Sequence, residues 1–199
     1  FSSRRRHTRF RNVTGVQTCA LPILSFHYVL AARAIAPGEH VLDIASGKGY
    51  GGNLLAQAGA NVTCADCDED KIAFGKRTFV SANLSFACED AMATSFADGA
   101  FDAVVSMETI EHMDGVDGYL SELKRVLKPG GLAILSTPQN SLGHIPLTPA
   151  HLHEFSLVEL QNVCARHFAV ERTIGLKGGT VYFEGDPYGS NSMIFLRKI

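Results

Sequence analysis

The chain has 199 residues, enough for one domain of ordinary size, and its 46% hydrophobic and 19% charged residues exclude wholesale disorder. The net charge of −2 is uneven: residues 1–24 hold five Arg and no acid, leaving 13 Lys and Arg against 20 Asp and Glu, or −7, for residues 25–199, which disfavours nucleic acid as a partner. The sequence has no apolar run of 18 residues, so no transmembrane helix is predicted. Its five Cys are an odd number, which is more typical of a protein in a reducing cytoplasm than of a disulfide-linked secreted protein.

Residues 1–24 differ from the rest of the chain. They show neither helical nor strand periodicity, and three interpretations are open. The segment is a basic arm or Arg-rich transit peptide, a disordered tail, or translated sequencing-adapter sequence, which it resembles. We favour the last and predict a non-native or disordered segment over residues 1–24 and a single domain over residues 25–199.

From Ser25 onward, predicted helices alternate with predicted strands. The first predicted helix begins at Ser25, the second includes Leu54–Ala56 and the third covers Glu69–Phe79. The fifth starts at the Ser156/Glu159 capping box. The fourth is predicted from an apolar stripe formed by Tyr119, Leu120, Leu123, Val126 and Leu127. The strands cover His40–Ile44, Val62–Ala65, Leu84–Ala87, Ala103–Ser106, Leu132–Leu135, Val170–Leu176 and Ser192–Arg197. Strands separated by helices pair in parallel through right-handed crossovers. We therefore predict an α/β, Rossmann-like domain with one doubly wound, mostly parallel, seven-stranded sheet.

The predicted strands place acidic residues at the edge where such sheets bind ligands. The first strand delivers Asp43 and then a glycine loop, residues 45–52; the second ends at Asp66 and the third at Asp90. The loop fits the dinucleotide pattern Gly-x-Gly-x-x-Gly, with Asp66 placed as a ribose-binding acid. A plain strand-to-helix turn and a nicotinamide site both fit this pattern.

Asp43 distinguishes between nucleotide ligands, because a carboxylate beside the loop would repel a pyrophosphate and favour an ammonium or sulfonium group. A ligand with ribose hydroxyls for Asp66, an adenine amino group for Asp90 and a cationic centre fits all three acids. S-adenosylmethionine is such a ligand.

With these features the chain resembles the class I S-adenosylmethionine-dependent methyltransferases from about Tyr28 to Arg197. The matching segments are VLDIASGKGYG (41–51), VTCADCDEDKI (62–72), FACEDAMATSFADGAFDAVVSMETIEHM (86–113) and LKRVLKPGGLAILSTPQN (123–140). The resemblance is nearest to the ubiquinone-biosynthesis-like group of small-molecule enzymes and to relatives in glycan biosynthesis. It implies the strand order 3-2-1-4-5-7-6, with the last strand antiparallel.

The resemblance also implies cofactor-binding residues. The methionine part would be lined by Asp43, Ala45, Gly47 and Gly49, the ribose held by Asp66, the adenine contacted by Cys67, Asp90 and the amide of Ala91, and the amino-acid end flanked by Met107 and Glu108. Ala45 departs from the family, which usually has Gly at this position.

His112 and His151 are the predicted catalytic residues. Glu111-His112 follows the fourth strand, where the family often carries the same pair, and His112 is interpreted as a general base or as a histidine at a helix start. His151 and Glu154 match a family pattern in the loop after the fifth strand and are interpreted as acceptor-contacting or loop-positioning residues.

The sequence offers two further candidate metal or redox clusters, and we predict that neither is one. Cys64 and Cys67 have CxxC spacing, but residues three apart on a strand face opposite sides. The set His144, His151 and His153 has mixed spacing without a family precedent. No metal site is therefore predicted.

The predicted function is methyl transfer from S-adenosyl-L-methionine to an oxygen, nitrogen or carbon of a small-molecule acceptor such as a sugar or quinone-like intermediate. A nicotinamide-dependent oxidoreductase and a non-catalytic cofactor-binding protein are the alternatives. We expect a cytoplasmic protein without nucleic-acid or membrane partners, and the oligomeric state stays open.

Overall fold

The computed structural model describes residues 17–140, 148–177, 180–184 and 190–199. The helices in this part of the chain are α1 (Gln17–Ala32), α2 (Tyr50–Gln57), α3 (Glu69–Thr78), a 3₁₀ helix (Ile110–His112), α4 (Val116–Val126) and α5 (Leu157–Ala165). The strands are β1 (His40–Ile44), β2 (Asn61–Asp66), β3 (Leu84–Cys88), β4 (Phe101–Met107), β5 (Leu127–Pro138), β6 (Ala169–Lys177), β7 (Thr180–Glu184) and β8 (Asn191–Arg197).

The strands form one sheet in the order β3-β2-β1-β4-β5-β8-β6-β7. The five neighbouring strands β3-β2-β1-β4-β5 pair in parallel. Strand β8 runs antiparallel to both β5 and β6. The predicted order is thus confirmed, because β8 is the predicted seventh strand. The short strand β7 is an addition at the outer edge of β6 that was not predicted, although its sequence carries a signal, a Gly-Gly pair before a run of β-branched and aromatic residues.

Both faces of the sheet are covered by helices, as a parallel sheet requires. One apolar core packs α1 and α2 against the sheet, and the other packs α4 and α5 against its opposite face. Strand β4 shows the alternation: Ala103 and Val105 belong to the first core, whereas Val104 belongs to the second. Because β1 to β5 all run in the same direction, the loops that follow these strands meet at one edge of the sheet.

Some element boundaries differ from the predicted ones. Helix α1 begins at Gln17, so the predicted start at Ser25 is wrong. Residues 17–24 include helix formers such as Leu21 and Leu24, which allow the helix to extend across Ser25. Whether residues 1–24 are non-native stays a prediction. At another boundary, α4 ends at Val126 and β5 begins at Leu127, so the predicted helical position of Leu127 and the predicted strand start at Leu132 are both wrong.

The capping-box prediction is confirmed at α5, where Ser156 and Glu159 bond each other's backbone amides. At the amino-terminal edge of the sheet, Asp102 accepts from the amide of His40 at 2.9 Å and from Nζ of Lys128 at 2.6 Å. This residue therefore ties β1 and β5 to β4. Among the helices the structure describes, none has the length and apolarity needed to cross a membrane.

Candidate active site at the carboxyl edge of the sheet

In the glycine loop after β1, alternate residues have a left-handed backbone conformation. Ala45, Gly47 and Gly49 have φ of 57°, 58° and 82°. Gly49 also precedes the first turn of α2, and a side chain there would overlap the ring of Phe86. Beside Gly47, in contrast, no atom of the described residues lies within 4 Å of where a Cβ would be. Gly49 is therefore required by packing and backbone conformation, and the loop is open to a ligand at Gly47.

Asp66 at the end of β2 lies against this loop. Its Oδ2 accepts from the amide of Gly47 at 2.8 Å and its Oδ1 from the amide of Asp68 at 3.0 Å. Nζ of Lys71 lies 3.6 Å from Oδ1. Asp66 is 6% exposed, so the loop and two flanking groups hold the carboxylate in one position.

Asp90 and its neighbours extend the same edge. Asp90 is exposed and accepts from the amide of Met92 at 2.9 Å, while Ala91 is half-buried and Cys67 is exposed. Partial desolvation raises the pKa of the Cys67 thiol, and the charges of Asp66 and Asp90 raise it further. Asp66 and Asp90 thus lie near the same thiol.

Asp43, which was predicted to line the methionine part of the cofactor, lies beneath the glycine loop and not on its surface. Its carboxylate is fully buried beneath the loop and accepts from the hydroxyl of Tyr28 at 2.9 Å and from the amide of Gly52. Burial raises the pKa of Asp43 to about 7, and the nearby charge of Asp66 contributes to the rise. Asp43 and Asp66 are therefore neighbours at the ends of β1 and β2, with Asp43 bracing the loop from below, whereas Asp90 lies two residues beyond β3 and not at its end. The predicted contact of Asp43 with a cofactor stays a prediction.

Glu108, after β4, lies at the centre of a polar network. It has an unusual φ of 52°, and its carboxylate accepts from Oγ of Ser136 at 2.7 Å and from Nδ2 of Asn191 at 2.8 Å. His27 of α1 lies with Nδ1 3.1 Å from Ser136 Oγ. Burial lowers the pKa of His27 to about 4, so the imidazole is neutral. Met107 is buried in the core beside this network.

The two predicted catalytic histidines meet beyond β4. The rings of His112 and His151 are edge to face, with centroids 4.9 Å apart. His151 Nδ1 lies 2.6 Å from Oε1 of Glu154, and His112 Nδ1 lies 3.1 Å from the carbonyl oxygen of Ala150. Glu111 is buried beside them and accepts from Oγ1 of Thr137 at 2.9 Å. Desolvation raises the pKa of Glu111, with a further contribution from the charge of Glu108.

The structure also places the residues considered as metal or redox groups. Cys64 is buried next to Asp43, whereas Cys67 lies just beyond the end of β2 and is exposed. That the pair is not a metal or redox site stays a prediction. His153 packs its ring against Phe155 at 4.4 Å between centroids. His144 lies outside the described residues.

The sequence predictions did not include several polar residues that contact the site but lie far from it in the chain. Tyr28, His27, Ser136 and Asn191 contact the predicted site residues only after folding; His27 and Ser136 are separated by 109 positions, and Glu108 and Asn191 by 83. No spacing rule connects residues so far apart. The available signal was limited to polar side chains within otherwise apolar segments.

Comparisons with known proteins agree with this geometry. Residues 42–135 match a family model described as "Methyltransferase domain". A Mycolicibacterium smegmatis protein named "Probable S-adenosylmethionine-dependent methyltransferase" is 32% identical over 162 residues, covering 79% of this chain and 62% of that protein. A Beutenbergia cavernae demethylmenaquinone methyltransferase is 39% identical over 112 residues, 55% of this chain and 46% of that protein. The chain thus spans less than two thirds of either relative.

The fold has close counterparts among solved structures. A SAM-dependent methyltransferase from Aquifex aeolicus superposes with a TM-score of 0.72 at 16% identity, covering 92% of this chain and 94% of that one. At this identity the likeness shows a shared fold.

Proposed function

Because the chain belongs to the class I S-adenosylmethionine-dependent methyltransferase family, we propose that it transfers the methyl group of this cofactor to a small-molecule acceptor. The observation that carries the proposal is the hydrogen bond from the Gly47 amide to Asp66, which holds the carboxylate beside a glycine loop that is open to a ligand. A nucleoside with an amino-acid tail fits this arrangement, with its ribose at Asp66 and its tail along the loop.

The described residues fit the cofactor. Each oxygen of Asp66 accepts one backbone amide and, since a carboxylate oxygen has two lone pairs, keeps one for a ribose hydroxyl. The proposed contacts are Cys67, Asp90 and the Ala91 amide for adenine, Ala45, Gly47 and Gly49 for the methionine part, and Met107 and Glu108 for the amino-acid end. Asp43 acts from beneath, by holding α1 and the loop together and by placing a carboxyl group below the cationic end. When bound, the cofactor supplies an electrophilic methyl group on sulfur.

The protein's contribution to the reaction is mainly alignment. Holding the acceptor atom, methyl carbon and sulfur in line can contribute about 7–11 kcal/mol in well-oriented systems. We propose that His112 and His151, beyond β4, activate the acceptor. Nδ1 of His112 faces a carbonyl oxygen, which only accepts, so this nitrogen carries the proton and Nε2 keeps a lone pair. His112 is then the general base when the acceptor must lose a proton.

A small molecule of the sugar or quinone type is the proposed acceptor. The Beutenbergia cavernae relative is named for a quinone precursor, which supports the quinone alternative. The charge of −7 over residues 25–199 opposes binding of a nucleic-acid acceptor.

Two measurements test the proposal. Calorimetric titration with S-adenosylmethionine and, separately, with NAD⁺ should give binding of the first alone; binding of NAD⁺ alone would support an oxidoreductase instead. Transfer of a labelled methyl group is then followed across a panel of hydroxylated quinols and sugars. Cofactor binding without a methylated product across the panel would support a non-catalytic binding protein.

A further inference from the structure

The 3₁₀ helix after β4 and the loop before α5 bring three metal-ligating side chains together. The amides of Leu152 and His153 donate to the carbonyl oxygen of Glu111, at 2.9 and 3.2 Å, and fix the loop against this helix. As a result, Glu111, His112 and His151 each present one ligand atom within 4.8 Å of the other two. A tetrahedral metal ion would draw such atoms to about 3.3 Å of one another, a small closure for side chains.

The Glu111 carboxylate has one unsatisfied oxygen. The residue is 1% exposed, and its Oε2 accepts from Thr137. Its Oε1, in contrast, has no hydrogen-bond partner among the described residues and lies 4.0 Å from Nε2 of His112. Since a buried carboxylate oxygen is rarely left without a partner, this atom indicates a missing cation or donor at the cluster.

Both imidazoles have the hydrogen-bond pattern of metal ligands. Nδ1 of His112 donates to the carbonyl oxygen of Ala150, and Nδ1 of His151 to the carboxylate of Glu154. Glu154 is itself held by the amide of Thr148 at 3.1 Å. Ligating histidines almost always donate their second ring nitrogen to a carboxylate or carbonyl in this way, which leaves Nε2 for the metal.

From these contacts we propose that Glu111, His112 and His151 bind a divalent transition-metal ion that takes the acceptor's hydroxyl oxygen as a further ligand. Two imidazoles with one carboxylate suit zinc and similar ions better than magnesium or calcium. The side chains of His112 and His151 are 30% and 12% exposed, so the site has an open side. This set differs from the three histidines considered in the sequence, of which only His151 belongs to it.

The proposal rests on the proposed function and specifies its acceptor as a hydroxyl compound. Coordination lowers the pKa of a bound hydroxyl group, so the acceptor releases its proton to solvent. Its oxygen then forms the new bond to the methyl carbon while the bond from carbon to sulfur breaks and the sulfur leaves as a neutral thioether. In this metal-bound form the Nε2 lone pair of His112 is used by the metal, so the metal takes over the role that the proposed function gives to His112 as a base.

The first experiment measures metal binding directly. The untagged, chelator-treated chain is titrated with Co²⁺ and followed by its visible absorption and by calorimetry, with Zn²⁺ as competitor. We expect one Co²⁺ per chain, displaced by Zn²⁺. No binding at millimolar Co²⁺ would overturn the proposal without the need for any variant.

Variants then locate the site. Glu111→Gln keeps the shape of the side chain and should weaken Co²⁺ binding more than 100-fold, as should His151→Asn. The matched control His153→Asn removes a ring that packs on Phe155 and should leave the Co²⁺ affinity unchanged. Unchanged affinity in Glu111→Gln would overturn the assignment; circular dichroism of each variant confirms that it is folded.

Activity separates this proposal from the proposed function. The chelator-treated chain should still bind S-adenosylmethionine but lose methyl transfer to a hydroxyl acceptor, with recovery on adding Zn²⁺ or Mn²⁺. Full transfer by the metal-free chain would refute the metal site and leave the transferase intact. Loss of cofactor binding by the untreated chain would instead refute the proposed function.

Discussion

The substitution Tyr28→Phe tests whether α1 braces the glycine loop through an ionisable acid. The Tyr28 hydroxyl donates to Oδ1 of Asp43 at 2.9 Å, and both side chains are buried. Phenylalanine keeps the ring, which packs directly on Gly51, and removes only the hydroxyl group. Burial raises the pKa of Asp43 to about 7, so this carboxyl group is mostly neutral at pH 5 and mostly ionised at pH 8.

The expected cost of the substitution follows from the charge of the acceptor. A hydrogen bond between neutral groups contributes about 1 kcal/mol to stability, and one to a charged group about 1.5–3 kcal/mol. The free energy of unfolding should therefore fall by about 1 kcal/mol at pH 5 and by about 1.5–3 kcal/mol at pH 8.

The direction of the pH dependence follows from the raised pKa of Asp43. Because folding raises this pKa above its ordinary value, the group's contribution to stability is full below that ordinary value and is lost as the pH rises through about 7. The groups that face Asp43 are Tyr28 from α1, the Gly52 amide from α2, and Cys64 and Asp66 from β2. Removing the Tyr28 hydroxyl deepens the loss at high pH.

Urea unfolding of both proteins at pH 5, 6, 7 and 8, followed by circular dichroism, measures this difference. Tyr119→Phe is the matched control, because the buried Tyr119 hydroxyl donates to the neutral Oγ of Ser106 at 2.7 Å. Burial raises the pKa of Tyr119, so it stays protonated throughout. Its cost should not change with pH. A Tyr28→Phe cost that is equally constant would show that Asp43 does not ionise in this range.

Three further substitutions test the site. Asp66→Ala should weaken S-adenosylmethionine binding by roughly 10²- to 10⁴-fold in calorimetry, since two hydrogen bonds to a charged group are lost. The control Asp68→Ala removes the cap of α3 and should leave this affinity unchanged. Wild-type affinity in Asp66→Ala would exclude the proposed pocket. His112→Ala should lower turnover by roughly 10²-fold or more while changing cofactor affinity little, and equal losses of both would reduce His112 to a structural residue. Ala45→Gly should raise Tm by about 1–4 °C, because relief of about 1–2 kcal/mol of left-handed strain exceeds the added entropy of the unfolded chain; Ala58→Gly, at a right-handed position, should lower Tm.

The sequence predicted the strands and most of the helices well because these depend on local patterns. Buried parallel strands have continuous apolar runs, such as Val104-Val105, and helices have stripes such as Tyr119 with Leu123. The order of the strands came from a resemblance to a family and not from periodicity. The start of α1 at Gln17 was missed because no local signal separates a helix-starting Ser from a Ser inside a helix.

The positions of side chains within the site were less predictable. The sequence placed Asp43 beside the glycine loop, but only the fold shows that its carboxylate is sealed beneath the loop by Tyr28. The edge strand β7 was also missed, although its sequence carried a hairpin signal.

By itself, the sequence determined where seven of the described strands lie and, to within three residues, where each of them ends, because the strand period and the stop signals are encoded within a few neighbouring positions. Tertiary structure decided which of these ends share a site and how each side chain is bonded. Glu111 and His151 lie 40 positions apart in the chain, yet they offer ligand atoms to one point. Contacts of this kind depend on how two loops are held by the sheet and on which polar atoms burial leaves without a partner, and neither is a property of a local segment.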